Sequence, residues 1–276
     1  MHESVVVNHF MLPGLGDRQC WADIWVRSGW RVREHAWSGV TQLLNPHNAL
    51  VCAGSAHECL DRGLHAAPAP ERRKAVVLMH GLGRSRRSMR HIAAQLDAEG
   101  WTVANIDYPS LFRPLESHAE QALGVAAALI EDGAESVAFA GHSLGGLIGR
   151  AAMAGDWPGR RAVFIGSPNR GALVADWLSH LPGYGLTGAC GQAVTRAGAA
   201  DIPVPQAEIG VVAGGTGGLG FNPWLGEDND GLVRVTETRL DAAETDFRLV
   251  HSLHSVMPKN RDVVSATVAF LTGGRL

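Results

Sequence analysis

The most constraining stretch of this 276-residue chain runs from Val137 to Arg150, where the apolar run Val137-Ala138-Phe139-Ala140 leads into Gly141-His142-Ser143-Leu144-Gly145 and then into small, helix-compatible residues. The pattern predicts a strand, a sharp turn and a helix, with Ser143 at the apex. A serine there takes a strained backbone conformation, and the residues two before and two after it must be nearly free of side chain, which Gly141 and Gly145 satisfy. In a chain with 34 glycines a Gly-x-Ser-x-Gly match also arises by chance. The flanking strand and helix patterns turn this one into a candidate nucleophile.

The surrounding segments predict the sheet that such a turn needs. Strands over 75–79, 102–106, 136–140 and 162–165 alternate with helices over 87–99, 117–132 and 144–154, the signature of a parallel sheet covered on both faces. Ligand sites in such sheets lie beyond the carboxyl ends of the strands. Residues 171–207, rich in glycine and without a clear strand, are expected to form a lid or cap insertion with Trp177, Leu178, Leu181, Tyr184 and Leu186 on its apolar face. A strand over 209–212, the glycine-rich loop 214–220, a strand over 247–250 and a helix over 262–271 complete the core. Residues 1–70 are expected to add a helix over 20–28, two antiparallel strands over 31–37 and 49–53 joined by a turn containing Asn45-Pro46, and a helix over 57–63. The division is therefore an extension, 1–70, packed on a core, 71–276. Phe10-Met11-Leu12-Pro13-Gly14-Leu15-Gly16 echoes Leu78-Met79-His80-Gly81-Leu82-Gly83, but with proline in place of histidine.

Composition narrows the function classes. With 24 basic against 27 acidic residues the net charge is −3, which gives no electrostatic reason to expect nucleic acid as a partner. Cys20, Cys52, Cys59 and Cys190 lack metal or redox spacing and read as reduced thiols, and no metal or cofactor is expected. The Val5–Val7 patch is too short for a secretory signal and no run approaches a membrane span, so a cytoplasmic location is expected. Trp21, Trp25 and Trp30 read as a stripe packed on its own domain, with weak membrane-surface or dimer contact as the other reading.

Serine nucleophiles need a base, a carboxylate that orients it, and donors for the developing oxyanion. The chain order serine, acid, histidine is met by Ser143, Asp230 and His254. Asp230 is favoured over Asp228 and Glu227 because Gly231 follows it at a turn apex. His254 is favoured over His251, which abuts a strand end. The turn His80-Gly81-Leu82-Gly83 after the first parallel strand would supply one backbone donor, Leu82, and the residue after the serine the other, Leu144. His142 reads as a core or supporting group; His91, His118 and His180 read as surface residues. The segment from Arg84 to Arg90 reads as a solvated basic turn, with recognition of a substrate carboxylate or phosphate as the alternative.

Four motifs in order, His80-Gly81-Leu82, Gly141 to Gly146, Gly166-Ser167-Pro168-Asn169-Arg170-Gly171 and Asp230-Gly231-Leu232-Val233, resemble those of the α/β-hydrolases, and within them the bacterial lipase/esterase group with a His-Gly-Leu oxyanion loop. The resemblance covers about 75–271. It implies an α/β-hydrolase fold and hydrolysis of a small-molecule ester or lipid through an acyl-enzyme at Ser143. Acyl transfer or thioester hydrolysis on the same residues is the alternative, and an inactive binding module the remote one. The short insertion, the lack of a defensible disulfide and the lack of a calcium cage around Asp201 and Glu208 favour a carboxylesterase over a lipase of long-chain triglycerides.

Overall fold

Ten strands and eight α-helices make up the residues described by the computed structural model, 19–240 and 243–276. The Val5–Val7 patch and the Phe10–Gly16 echo lie outside the described residues. The central sheet has six strands in the order β10-β9-β8-β7-β5-β6. These are β5 (Lys74–Met79), β6 (Thr102–Asn105), β7 (Ser136–His142), β8 (Arg161–Ile165), β9 (Glu208–Gly215) and β10 (Asp246–His251), all paired in parallel. Their residues are apolar on both sides, and period-2 alternation deals them to two cores. Val77, Met79, Val137 and Phe139 face α3 (Leu115–Glu131) and α4 (Leu144–Met153), whereas Val76, Leu78, Ala138 and Ala140 face α2 (Arg90–Ala98) and α8 (Arg261–Gly273). Each fully buried aliphatic side chain contributes about 1.5–3 kcal/mol.

Before this sheet stands a separate four-stranded antiparallel sheet, β1 (Trp21–Arg27), β2 (Trp30–His35), β3 (Thr41–Leu44) and β4 (Leu50–Gly54), followed by α1 (Ala56–Ala66). The helix expected over 20–28 is therefore a strand. The i, i+4 spacing of Trp21 and Trp25 suits a helical turn, and the β-bulge between Asp23 and Trp25, which puts the two on opposite faces of β1, breaks the alternation that would have marked a strand. The residues themselves, Trp21, Ile24, Trp25 and Val26, are of the aromatic and β-branched kinds that suit a pleated surface. Ser28 and Gly29 both have positive φ (48° and 82°), as a two-residue hairpin turn demands. Trp21 and Trp25 point inward, 3% and 4% exposed. Strand β3 lies where the sequence suggests only the connecting turn, because four residues, Thr41 to Leu44, are too few for a pattern. Helix α1 starts as its sequence Ser55-Ala56-His57-Glu58 allows, with the Ser55 hydroxyl accepting the Glu58 N–H at 3.2 Å.

Between β8 and β9 the chain forms short helices rather than an open loop: α5 (Leu173–Ser179), a 3₁₀ turn over Tyr184–Thr187, α6 (Gly188–Ala193) and α7 (Arg196–Ala200). Arg150 of α4 ties this insertion to the core, donating to the Asn169 carbonyl and to the Ile202 carbonyl, each at 2.6 Å. The buried Glu237 receives the Leu173 N–H at the start of α5 at 2.9 Å. Among the described residues no helix is long and apolar enough to cross a membrane. The four cysteines are free thiols, with Cys52 and Cys59 buried and 3.7 Å apart at sulfur.

Candidate active site

Strand β7 ends at His142 and α4 begins at Leu144, so Ser143 alone makes the turn, with φ 54° and ψ −122°. Close packing makes the glycines around it obligatory. A Cβ on Gly141 would lie 2.3 Å from the Gly145 carbonyl carbon, and one on Gly145 2.4 Å from the Met79 carbonyl oxygen. The turn is thus pressed against the end of β5, and Ser143 is left half-buried with its hydroxyl free to meet a partner.

That partner is His254, in the 3₁₀ turn His254–Lys259 after β10, with Nε2 3.0 Å from the Ser143 Oγ. Its Nδ1 lies 2.6 Å from Asp230 Oδ2. A carboxylate only accepts, so the proton sits on Nδ1 and Nε2 presents a lone pair to the serine. Asp230 is buried, and its second oxygen accepts the Leu232 and Val233 amides at 3.0 and 2.8 Å. Its carbonyl also receives the His254 N–H at 2.8 Å. The turn after Asp230 therefore holds both ends of the Asp–His pair. Gly166, at φ 55°, packs against it: a Cβ there would lie 2.7 Å from Met257 Sδ and 3.3 Å from Asp230 Oδ2.

The competing acids and histidine have other work. Asp228 receives the Thr216, Gly217 and Asn229 amides, at 2.8, 2.9 and 3.0 Å, which hold its carboxyl below the usual range against the effect of burial. Glu227 pairs with Arg234 at 3.0 Å. The exposed His251 ring meets Phe221 edge-on. His142 is buried, donates from Nε2 to the His254 carbonyl at 3.0 Å, and is kept neutral chiefly by burial. His91 and His180 are exposed, whereas His118, expected at the surface, is fully buried against Tyr108. Its place on the inner face of α3, beside Leu115 and Ala119, decides this, and burial lowers its pKa to about 4.

Leu82 and Gly81 follow β5 and line the same cavity as Ser143; Leu144, at the first position of α4, adjoins the serine. Backbone amides of a first helical turn have no partner within the helix. Braces on the Gly81–Arg84 turn were not legible in the sequence. Tyr108 stacks on His80 and its hydroxyl donates to the His80 carbonyl. Ser110 Oγ receives the Gly83 N–H at 2.9 Å and donates to Gln19 Oε1 at 3.1 Å, while Gln19 Nε2 donates to the Arg84 carbonyl at 2.7 Å. These contacts span up to 91 residues of sequence, and no local pattern marks them. The cavity in front of Ser143 measures about 350 Å³, walled on one side by Val174, Ala175, Leu178 and Val194 of the insertion and on another by Leu232 and Val233. Among the described residues no cluster of three or more His, Cys, Asp or Glu side chains could hold a metal ion.

A family model described as the alpha/beta hydrolase family matches residues 76–268. No curated protein matches the chain in sequence. Among solved structures, the mature form of the Bacillus licheniformis lipase BlEst2 superposes with a TM-score of 0.62 at 18% identity, covering 75% of this chain and 94% of that one. The propeptide form of the same lipase superposes equally well, with 52% of its length covered. The Pyrococcus furiosus esterase Pf2001 superposes with a TM-score of 0.52 at 13% identity, covering 88% of both chains. At these identities the likeness is one of fold.

Proposed function

The chain belongs to the alpha/beta hydrolase family, and from that premise we propose that it is a serine carboxylic-ester hydrolase acting through an acyl-enzyme at Ser143. One observation carries the reading: His254 bridges Ser143 Oγ at 3.0 Å and Asp230 Oδ2 at 2.6 Å, each bond in a tautomer that lets the next form. Ser143 Oγ attacks the ester carbonyl as its proton passes to His254 Nε2. The carbonyl electrons move onto oxygen, opposite the Leu82 and Leu144 amides, and Asp230 stabilises the imidazolium. The tetrahedral intermediate collapses, His254 returns the proton to the departing alkoxide, and the acyl group remains on Ser143. Water then repeats the sequence with His254 as base and frees the acid.

The lipase and esterase identity of the structural neighbours supports the same class of substrate. The cavity volume of about 350 Å³ is near the small end for ligand pockets, which favours compact esters over long acyl chains. Wild-type protein is expected to hydrolyse p-nitrophenyl butyrate and to be labelled at Ser143 by a fluorophosphonate. Ser143→Ala is expected to abolish labelling and to lower kcat by at least about 10³-fold. Retention of wild-type turnover by Ser143→Ala would remove the assignment. Product analysis in added alcohol separates hydrolysis from acyl transfer.

A further inference from the structure

We propose that Arg84 makes this cavity selective for esters that carry a second, anionic oxyacid group, a carboxylate or a phosphate, beside the scissile bond. The proposal rests on the ester-hydrolase reading of Ser143. Arg84 lines the cavity with Gly81, Leu82, Ser143 and His254, and among the described residues lining it no other carries a fixed charge. The remaining wall is largely aliphatic. A guanidinium half-buried beside such a wall attracts an opposite charge more strongly than one in open water.

The carboxylates nearby are already engaged. Asp107 pairs with Arg86 at 3.1 Å, and Asp230 with His254. Arg84 has no such partner among the described residues. Its backbone is held: its N–H donates to the Gly81 carbonyl at 3.2 Å and its carbonyl accepts from Gln19 at 2.7 Å, so the base of the stem is fixed at the edge of the cavity. Its charge reaches inward, adding to burial in keeping His142 and His80 neutral. The basic segment thus divides. Arg86 is structural, Arg87 and Arg90 are exposed, and Arg84 alone faces the serine's cavity. A guanidinium presents paired donors that match the oxygens of a carboxylate or phosphate.

The test compares kcat/KM for mono-p-nitrophenyl glutarate and for the p-nitrophenyl ester of 4-phosphonobutanoic acid, each against p-nitrophenyl pentanoate, in wild type, Arg84→Gln and Arg84→Lys. Wild type is expected to favour at least one anionic ester over the neutral one, mainly through KM, and 0.5 M salt (about a 4–5 Å screening length) is expected to weaken the preference. The arm that shows it identifies the anion. Arg84→Gln is expected to lower the anionic-to-neutral ratio by about tenfold or more, and Arg84→Lys to retain part of it. A ratio that is the same in wild type and Arg84→Gln, or a neutral ester preferred in wild type, overturns the proposal. Thermal unfolding of each variant reports misfolding separately. Calorimetric titration with glutaric acid mono-anilide and with the anilide of 4-phosphonobutanoic acid, amides carrying the same two anionic groups, reads the site without turnover. Absent ester hydrolysis with binding of either amide that Arg84→Gln weakens tenfold sinks the hydrolase reading and keeps the anion site; equal binding of both amides by wild type and Arg84→Gln sinks the anion site.

Discussion

Ser143 adopts φ 54° and ψ −122°, a conformation that costs a non-glycine residue on the order of 1–3 kcal/mol and persists only where the surroundings over-determine it. Here they do, because Gly141, Gly145 and the end of β5 leave the turn no other path. At the same scale the two neighbouring aspartates separate by their hydrogen bonds. Asp230 spends one oxygen on two amides and the other on His254, whereas Asp228 spends both on the Thr216–Gly217 loop and its neighbouring amide. Asp230→Asn is expected to cut kcat by about 10²–10⁴-fold by turning the His254 ring to the wrong tautomer. Asp228→Asn is expected to cost stability through its loop while keeping turnover within about tenfold. Steady-state assays on folded variants check both, and a larger kcat loss at Asp228 would reverse the assignment.

Among the elements, the helical insertion between β8 and β9 supplies much of the cavity wall, yet its helices are short and several of its apolar residues, Trp177, Leu178, Leu181 and Leu186, remain exposed. Its attachment therefore rests on the residues it does bury, Cys190 and Ile202 in the core among them, and on buried hydrogen bonds. One of these is made by Arg150, a buried cation with no carboxylate partner among the described residues, whose pKa burial brings down to about 10. Arg150→Met would leave the Asn169 and Ile202 carbonyls without their donor. It is expected to cost about 2–4 kcal/mol and to speed proteolysis within 171–207. Denaturant melts and timed trypsin digests check this; unchanged cleavage of the insertion would show that Arg150 does not hold it.

For the whole molecule, His80, His118 and His142 are buried together under the Gly81–Arg84 turn and the elbow, neutral because of burial. The folded pKa values of His80 and His118 are lowered from 6.5 to about 4, so between those limits the unfolded chain binds protons that the folded chain refuses. Stability is then full above about 6.5 and falls as pH drops toward 4. Urea denaturation at pH 7.5 and 5 is expected to differ by a few kcal/mol, on the order set by 1.36 kcal/mol per pKa unit. His118→Gln should make the pH dependence shallower, and a wild-type stability that is flat over that range would contradict it.

The strongest local signals in this chain determined the central sheet, its helices and the elbow, since short unbroken apolar runs, helical periods and obligatory glycines are written within a few residues of where they act. The Ser143, Asp230 and His254 order was readable for the same reason: each sits at a turn marked by its own neighbours. Tertiary structure decided the rest. A bulge disguised β1 as a helix, four-residue β3 carried no period, and His118 became buried by the face α3 presents to the core. Only the folded chain brings Gln19 and Ser110 to the Gly81–Arg84 turn and singles out Arg84 from its basic neighbours. Those relations join residues far apart in sequence, and pairing energy at that range depends on where the backbone has already been placed.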